Sequence, residues 1–494
     1  MTRLRRLADH HKKNESCCGS VHAVMCPAAA ATATAAAAAV SRSSRIDMCV
    51  MRYVLLVVLL LTLQSSGSQA EEGDHVVVIP SLGKIQGAPS SYAMTSERQV
   101  SRFLGIRYGT AERFSASKLA GGWEGVYDAK DFGKRCYQEG DDSDMDEDCL
   151  FLNIFMPEGA SNLPVMFYIH LGLYTTGASN IFAFDLLAAS QNVVVVTINY
   201  RLNIFGFLGG KTMSAYDGAN GAAGNFGLLD QTLALQWVNE NIVYFGGDAS
   251  RVCIFGTSAG GNSVINHLTL ASSFPYYTSA IIQSGTYNQG AFSEEQAEYR
   301  MQGALKLSNC TDVDCLKKMD AKQLVSLSSY IEDMDDLAFA WGPVVDGKII
   351  KTFPTTSIAA GDYKKDASVI VGSNRDEGAY FLLSDGKIYA KFFNFSSTVD
   401  EDDFDHVISY DDFNEGGYHS LQPFNSTDVA YIKELYAVDG EYQYPKDRGP
   451  YSDFWWMMMR AESDRVWGLG ACAVRRLSRL LAMVRLFLTV ISII

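Results

Sequence analysis

Short apolar runs alternate along most of this chain with stretches whose apolar positions recur at helical spacing, the pattern of an α/β protein built on a largely parallel sheet. Leu163–Ile169 and Asn192–Asn199 read as fully buried strands because neither carries the polar alternation of a half-solvated one. Leu228–Val243 sets Leu229, Leu233, Leu235, Trp237, Val238 and Ile242 at helical spacing, and Phe245-Gly246-Gly247-Asp248 stops that helix. Val252–Phe255 is the next strand, ending at Gly256, with a helix expected beyond Ser258. Ser368–Val371 is a further short buried strand, closed by Gly372-Ser373-Asn374. No internal repeat and no linker interrupts the order, so one large domain with excursions is the simplest organisation.

One junction in this pattern carries candidate chemistry. Gly256-Thr257-Ser258-Ala259-Gly260 is a G-x-S-x-G sequence between strand and helix, the layout of a nucleophile elbow. Such a turn strains the serine backbone and brings neighbouring backbone close, which glycines tolerate because they lack a Cβ. The helix start behind Ser258 aims free N–H groups at any oxyanion formed there. By itself the motif is weak in a chain with 42 glycines, where a helix-capping serine looks the same.

The first 70 residues differ from the rest. Residues 1–50 open with Arg3, Arg5, Arg6, Lys12 and Lys13, and contain a low-complexity alanine-rich run, Pro27–Val40, that supplies no core. Arg52, the apolar stretch Tyr53–Leu63 and the small-x-small triplet Ser68-Gln69-Ala70 have the layout of a signal peptide over 51–70, with Met51 as the expected start and 71–494 as the mature chain. A type II membrane anchor is the competing reading, but the apolar run is about half of the ~20 residues a span needs. Loss of residues 1–70 leaves 33 basic against 53 acidic side chains, net −20, which argues against nucleic-acid or anionic-membrane partners. The acidic clusters Asp141–Asp148 and Asp400–Asp405 read as solvated loops. No metal is expected, because no Cys or His cluster has ligand spacing, and no cofactor, because no phosphate-binding loop is present. Export accords with Cys136 paired to Cys149 and Cys310 to Cys315 as loop-closing disulfides, and with acceptor triplets at Asn309, Asn394 and Asn425.

Ordered blocks from about Val77 to Ala482 resemble the type-B carboxylesterases, the branch of the α/β-hydrolases that includes the cholinesterases. The blocks run Phe103-Leu104-Gly105-Ile106-Arg107-Tyr108, Trp123-Glu124-Gly125-Val126 and Glu147-Asp148-Cys149-Leu150-Phe151-Leu152-Asn153. They continue with Asn199-Tyr200-Arg201-Leu202, Gly224-Asn225-Phe226-Gly227-Leu228-Leu229-Asp230-Gln231, Gln283-Ser284-Gly285, Pro343-Val344-Val345-Asp346-Gly347 and Asn374-Arg375-Asp376-Glu377-Gly378. The resemblance implies an α/β-hydrolase fold and a serine esterase that acts on a small-molecule carboxylic ester without a cofactor. It makes Ser258 the nucleophile and Glu377 the acid of a Ser-Glu-His triad, in which histidine takes the serine proton and the carboxylate fixes the imidazole.

Four departures qualify that expectation. The family's G-x-x-H block has no counterpart: after Glu377 only His406 and His419 follow, neither in a matching context, so the triad histidine is unassigned and the C-terminal region reads as truncated, ending in Met483–Ile494. A chain ending there is expected to expose a sheet edge and apolar surface. The oxyanion loop reads His170-Leu171-Gly172-Leu173-Tyr174 where the family carries H-G-G-G, leaving the N–H groups of Gly172, Leu173 and Ala259 as donors beside leucine side chains. Thr257 stands where a glutamate usually precedes the nucleophile. The Cys136–Cys149 loop lacks the tryptophan that would hold a choline cation. His170 and His267 read as structural. The expected function is a secreted serine esterase, and the competing one a non-catalytic adhesion or binding homologue.

Overall fold

Both faces of the central sheet are apolar, which is why its strands read as continuous hydrophobic runs rather than alternating ones. A computed structural model describes residues 75–90, 98–217, 223–285, 290–334 and 340–377. Its eight-stranded sheet comprises β1 (Ala88–Pro89), β2 (Val100–Arg107), β3 (Phe151–Pro157), β4 (Leu163–Ile169), β5 (Val194–Ile198), β6 (Gly247–Thr257), β7 (Ser279–Gln283) and β8 (Ser368–Gly372), in the order β8-β7-β6-β4-β5-β3-β2-β1. The strands from β5 through β4, β6 and β7 to β8 are parallel, while β3 runs antiparallel to β5 and β2, and β1 to β2. A separate three-stranded sheet, Val76–Ile79, Gly83–Gln86 and Val126–Asp128, lies near the start of the described chain.

Alternate residues of each strand feed two cores. Val165, Phe167 and Ile169 of β4, Val194, Val196 and Ile198 of β5, and Val252 and Ile254 of β6 join the larger core, together with Trp237, Val238, Val264, Ile265 and Leu268. Those last five come from α2 (Phe226–Asn241) and α3 (Ala259–Thr269). Tyr168, Val195 and Phe255, one residue out of phase, meet Phe184, Ala188 and Ala189 at the start of α1 (Asp185–Gln191) on the other face. Side chains of successive strand residues point to opposite faces, so this phase shift puts helices on both sides of the sheet. The expected α/β-hydrolase architecture is therefore present.

Element positions follow the sequence closely, with informative differences. Leu163–Ile169 is reproduced residue for residue as β4, whereas the helix expected over 228–243 starts at Phe226 and ends in a 3₁₀ turn, Ile242–Phe245, capped by left-handed Gly246. Ser368–Val371 was expected to be buried. Instead β8 alternates exposed and half-buried residues, with Ile370 52% exposed, because among the described residues it pairs only with β7. The cluster at 141–148 is a solvated loop as expected, with Asp141, Asp144, Asp146 and Asp148 exposed, and basic side chains pair with it at the surface: Arg135 holds Asp144 at 2.6 Å, Lys322 holds Asp142 at 2.5 Å, and Arg107 and Arg113 pair with Asp148 and Glu147. Both expected disulfides are formed, Cys136–Cys149 and Cys310–Cys315.

Candidate active site

Four neighbouring parallel strands end at one edge of the sheet, and the loops that leave them carry every sequence-predicted catalytic residue that can be described. Ladder partners are Ile169 with Gly256, Thr257 with Gln283, and Gln283 with Gly372, so β4, β6, β7 and β8 finish nearly level. The carboxyl edge of a parallel sheet is where ligands bind in open α/β folds.

Ser258 follows β6 directly, at φ 55° and ψ −119°, a backbone conformation rarely populated outside glycine. Its N–H donates to Gln283 O (2.9 Å), and its carbonyl accepts from Asn262 N (2.8 Å), so strand and helix pin the strained residue from both sides. The flanking glycines are sterically required. A Cβ on Gly256 would sit 2.5 Å from the Gly260 carbonyl carbon, and one on Gly260 would run into the carbonyl oxygen of Ile169 and sit 3.0 Å from that of His170. The elbow is thus pressed against the end of β4, where the next loop begins.

That loop turns through three residues of positive φ: Gly172 at 120°, Leu173 at 57° and Tyr174 at 63°. Thr175 N and Thr176 N both donate to Gly172 O at 2.9 Å, closing the turn. Among the described residues, the N–H groups of Gly172, Leu173 and Ala259 have no protein acceptor. Leu171 and Leu173 are half-buried. His170 is fully buried at the loop's start, its ring stacked on Tyr200 at 4.2 Å and its Nδ1 2.8 Å from Leu171 O, while Tyr200 Oη donates to His170 O at 3.0 Å. Burial pushes its imidazole down to about 4.

Glu377 lies five residues beyond β8. The Ser284 hydroxyl, just past the end of β7, donates to Glu377 Oε1, and the Asn374 N–H donates to the same oxygen at 2.7 Å. Ser284 is itself held at φ 51°, with its N–H on Gly372 O at 2.8 Å. Sequence reasoning passed over Ser284 as part of a family block; a polar residue just beyond a buried strand was the available signal. Thr257 Oγ1 donates to Gln283 Oε1 at 2.7 Å, so a neutral side-chain pair stands beside Ser258. Arg201 and Asp230 likewise stand out in the sequence only as members of the family blocks. They form a buried pair at 2.7 Å that ties the loop after β5 to α2.

The second structural histidine, His267 on α3, is fully buried with Nε2 3.1 Å from Gln231 Oε1, and burial pushes its pKa down to about 3. His406, His419, Asn394 and Asn425 lie outside the described residues, as do 1–70 and the region after Glu377. Asn309 is exposed, in a left-handed conformation after the helix Glu294–Ser308. No helix among the described residues is long and apolar enough to cross a membrane.

The model of the carboxylesterase family matches residues 74–475. The chain belongs to the carboxylesterase family. It is 35% identical to an acetylcholinesterase of Danio rerio over 71% of this chain and 58% of that protein, and 32% identical to a cholinesterase of Mus musculus over 74% of this chain and 62% of that protein. The chain thus spans less than two thirds of the length of these relatives. Among solved structures it resembles a carboxylesterase of Geobacillus stearothermophilus, with a TM-score of 0.68, 27% identity and coverage of 82% of this chain and 78% of that one. It also resembles a PNB esterase, with a TM-score of 0.63, 28% identity and coverage of 81% and 77%.

Proposed function

We propose that this carboxylesterase-family chain is a serine hydrolase of small-molecule carboxylic esters that works through an acyl-enzyme on Ser258. The observation that carries this reading is the strained Ser258 turn on the same strand edge as Glu377, whose carboxylate is oriented by two donors. Ser258 Oγ adds to the ester carbonyl carbon, and the oxygen that becomes negative accepts hydrogen bonds from the N–H groups of Gly172, Leu173 and Ala259. Collapse expels the alcohol, and water then releases the acid by the same route. Leucine N–H groups donate as well as glycine N–H groups, so the leucines leave the number of donors unchanged.

The imidazole that takes the Ser258 proton comes from outside the described residues. His170 and His267 are unsuited to the role because both are buried and held by other groups. Glu377 would orient that imidazole and stabilise its charged form. The chain is proposed to enter the secretory pathway with cleavage after Ala70, a reading supported by the two disulfides, and to carry a glycan on exposed Asn309.

The test is a fluorophosphonate probe applied to the full-length protein and to Ser258→Ala. Covalent mass addition on Ser258 in the first and none in the second is expected, together with hydrolysis of a short-chain p-nitrophenyl ester by the first alone. A folded protein that gives no adduct would sink the esterase reading in favour of a binding homologue.

A further inference from the structure

The oxyanion loop and the nucleophile helix meet at one buried hydroxyl. Ser263, on the first turns of α3 and 0% exposed, has its Oγ 3.0 Å from Ala259 O, 3.1 Å from Tyr174 Oη and 3.0 Å from Gln231 Nε2, which donates to it. Gln231 is held in turn by its Oε1 at 3.1 Å from His267 Nε2. Ala259 supplies one proposed oxyanion donor, and Tyr174 follows directly on Leu173, which supplies another. Ser263 Oγ thus bridges the carbonyl of Ala259 and the hydroxyl of the residue that follows Leu173.

A device of this kind answers a need created by the loop's own sequence. Left-handed backbone is unfavourable for a residue with a Cβ, and Leu173 and Tyr174 adopt it consecutively. Such conformations persist only where the surroundings over-determine them. Tyr174 is the point at which they do so: its ring packs edge-on against Phe207 at 4.8 Å, its carbonyl accepts from Asn203 N at 2.7 Å, and its hydroxyl reaches Ser263. Ring packing would survive loss of the hydroxyl, whereas the directional link from loop to helix would not.

We propose that the Tyr174 hydroxyl, acting through Ser263, is a positioning group that sets the Leu173 N–H against the Ala259 N–H and holds Leu173 in the backbone conformation a glycine would adopt without help. The catalytic part of this inference rests on the esterase reading above; the mechanical part does not. The experiment is a double-mutant cycle of Tyr174→Phe and Leu173→Gly in the full-length chain, read by p-nitrophenyl butyrate kinetics and by melting temperature. Small misplacements of catalytic groups are costly, so Tyr174→Phe is expected to lower kcat about tenfold or more with KM changed less than about twofold. In the Leu173→Gly background the same change should lower kcat less than about twofold, because glycine no longer needs holding.

Equal fold-losses in the two backgrounds, or a loss confined to KM, would overturn the proposal. If the parent chain neither turns over ester nor labels at Ser258, the esterase reading fails and the melting temperatures alone decide. A Tyr174→Phe shift at least halved by Leu173→Gly keeps the clamp, and additive shifts refute it. Ser263→Ala provides the second arm: because it also gives up Ala259 and Gln231 it should cost more than Tyr174→Phe, but adding Tyr174→Phe to it should cost little further, and full additivity would overturn the link.

Discussion

Two turns leave neighbouring strands at the same sheet edge, and they reach unusual backbone geometry by opposite means. The turn after β6 is built from glycines where nothing larger fits, with Gly256 and Gly260 packed against the backbone of Ile169 and His170. The turn after β4 holds positive φ at Leu173 and Tyr174, residues that resist it, and relies on a ring stack, carbonyl contacts and a buried hydroxyl for support. In the first, the strain is confined to Ser258 and the glycines beside it admit the close approach of β4; in the second, two consecutive residues with a Cβ carry the strain and tertiary contacts hold them. Substitutions should therefore fail abruptly at one turn and by degrees at the other.

The largest effect is expected at Gly260. Gly260→Ala adds one methyl, but it meets backbone carbonyls on β4 and the following loop rather than a side chain that can turn away. Overpacking against backbone reaches the upper end of what small-to-large changes cost, roughly 3 kcal/mol. A thermal or urea denaturation midpoint within error of the parent would show that the elbow is less tightly set than the contacts imply.

Acid probes both regions at once, because each contains one buried histidine. The imidazoles of His170 and His267 are held down to about 4 and about 3, whereas in the unfolded chain they titrate near ~6.5. Between those values the unfolded chain binds protons that the folded one refuses, so stability is lost as pH falls below ~6.5 and continues to fall towards the folded values. At pH 5 the loss is about 2 kcal/mol for each histidine. Melting temperature followed from pH 7.5 to 5 should drop steadily, and His267→Gln should flatten the curve. A flat parent profile would contradict the burial of both rings.

A smaller effect concerns Glu377 rather than either turn. Ser284→Ala removes one of two donors to Glu377 Oε1 and leaves Asn374 N in place. A hydrogen bond to a charged group is worth about 1.5–3 kcal/mol, so about a tenfold fall in kcat is expected with little change in melting temperature. Unchanged turnover would mean that the backbone donor alone orients the carboxylate.

The same contrast explains how much could be read from the sequence. β4, the elbow and its glycines were legible because each depends on near neighbours in the chain: an apolar run, a glycine, a serine, a glycine. Both disulfides were legible because they join cysteines 13 and 5 residues apart. Ser284 on Glu377, Ser263 under Tyr174 and Arg201 against Asp230 were not. Their partners lie 93, 89 and 29 positions away, and no local pattern marks a serine or tyrosine that a distant loop will need. The exposure of β8 was missed for a related reason, since a short apolar run does not declare how many neighbours it pairs with. The leucines at 171 and 173 were visible as departures, but only the backbone angles separate their roles.

That separation sets the finest test of the comparison. Leu171 and Leu173 are both half-buried and stand one residue apart in the same loop, yet only Leu173 has positive φ. Replacing either with glycine adds the same freedom to the unfolded chain, whereas only Leu173 gives up packing against the larger core. Comparing alanine with glycine at each position removes that difference, because the step from one to the other takes away a single methyl group at either site. At position 173 the step also relieves left-handed strain, worth about 1 kcal/mol. In urea denaturation the alanine-to-glycine step should accordingly be more favourable at 173 than at 171 by about that amount, a difference of a few degrees in melting temperature. An equal or reversed step would mean that the turn after β4 carries no strain at Leu173, and that the contrast with the glycine-flanked elbow lies in shape alone.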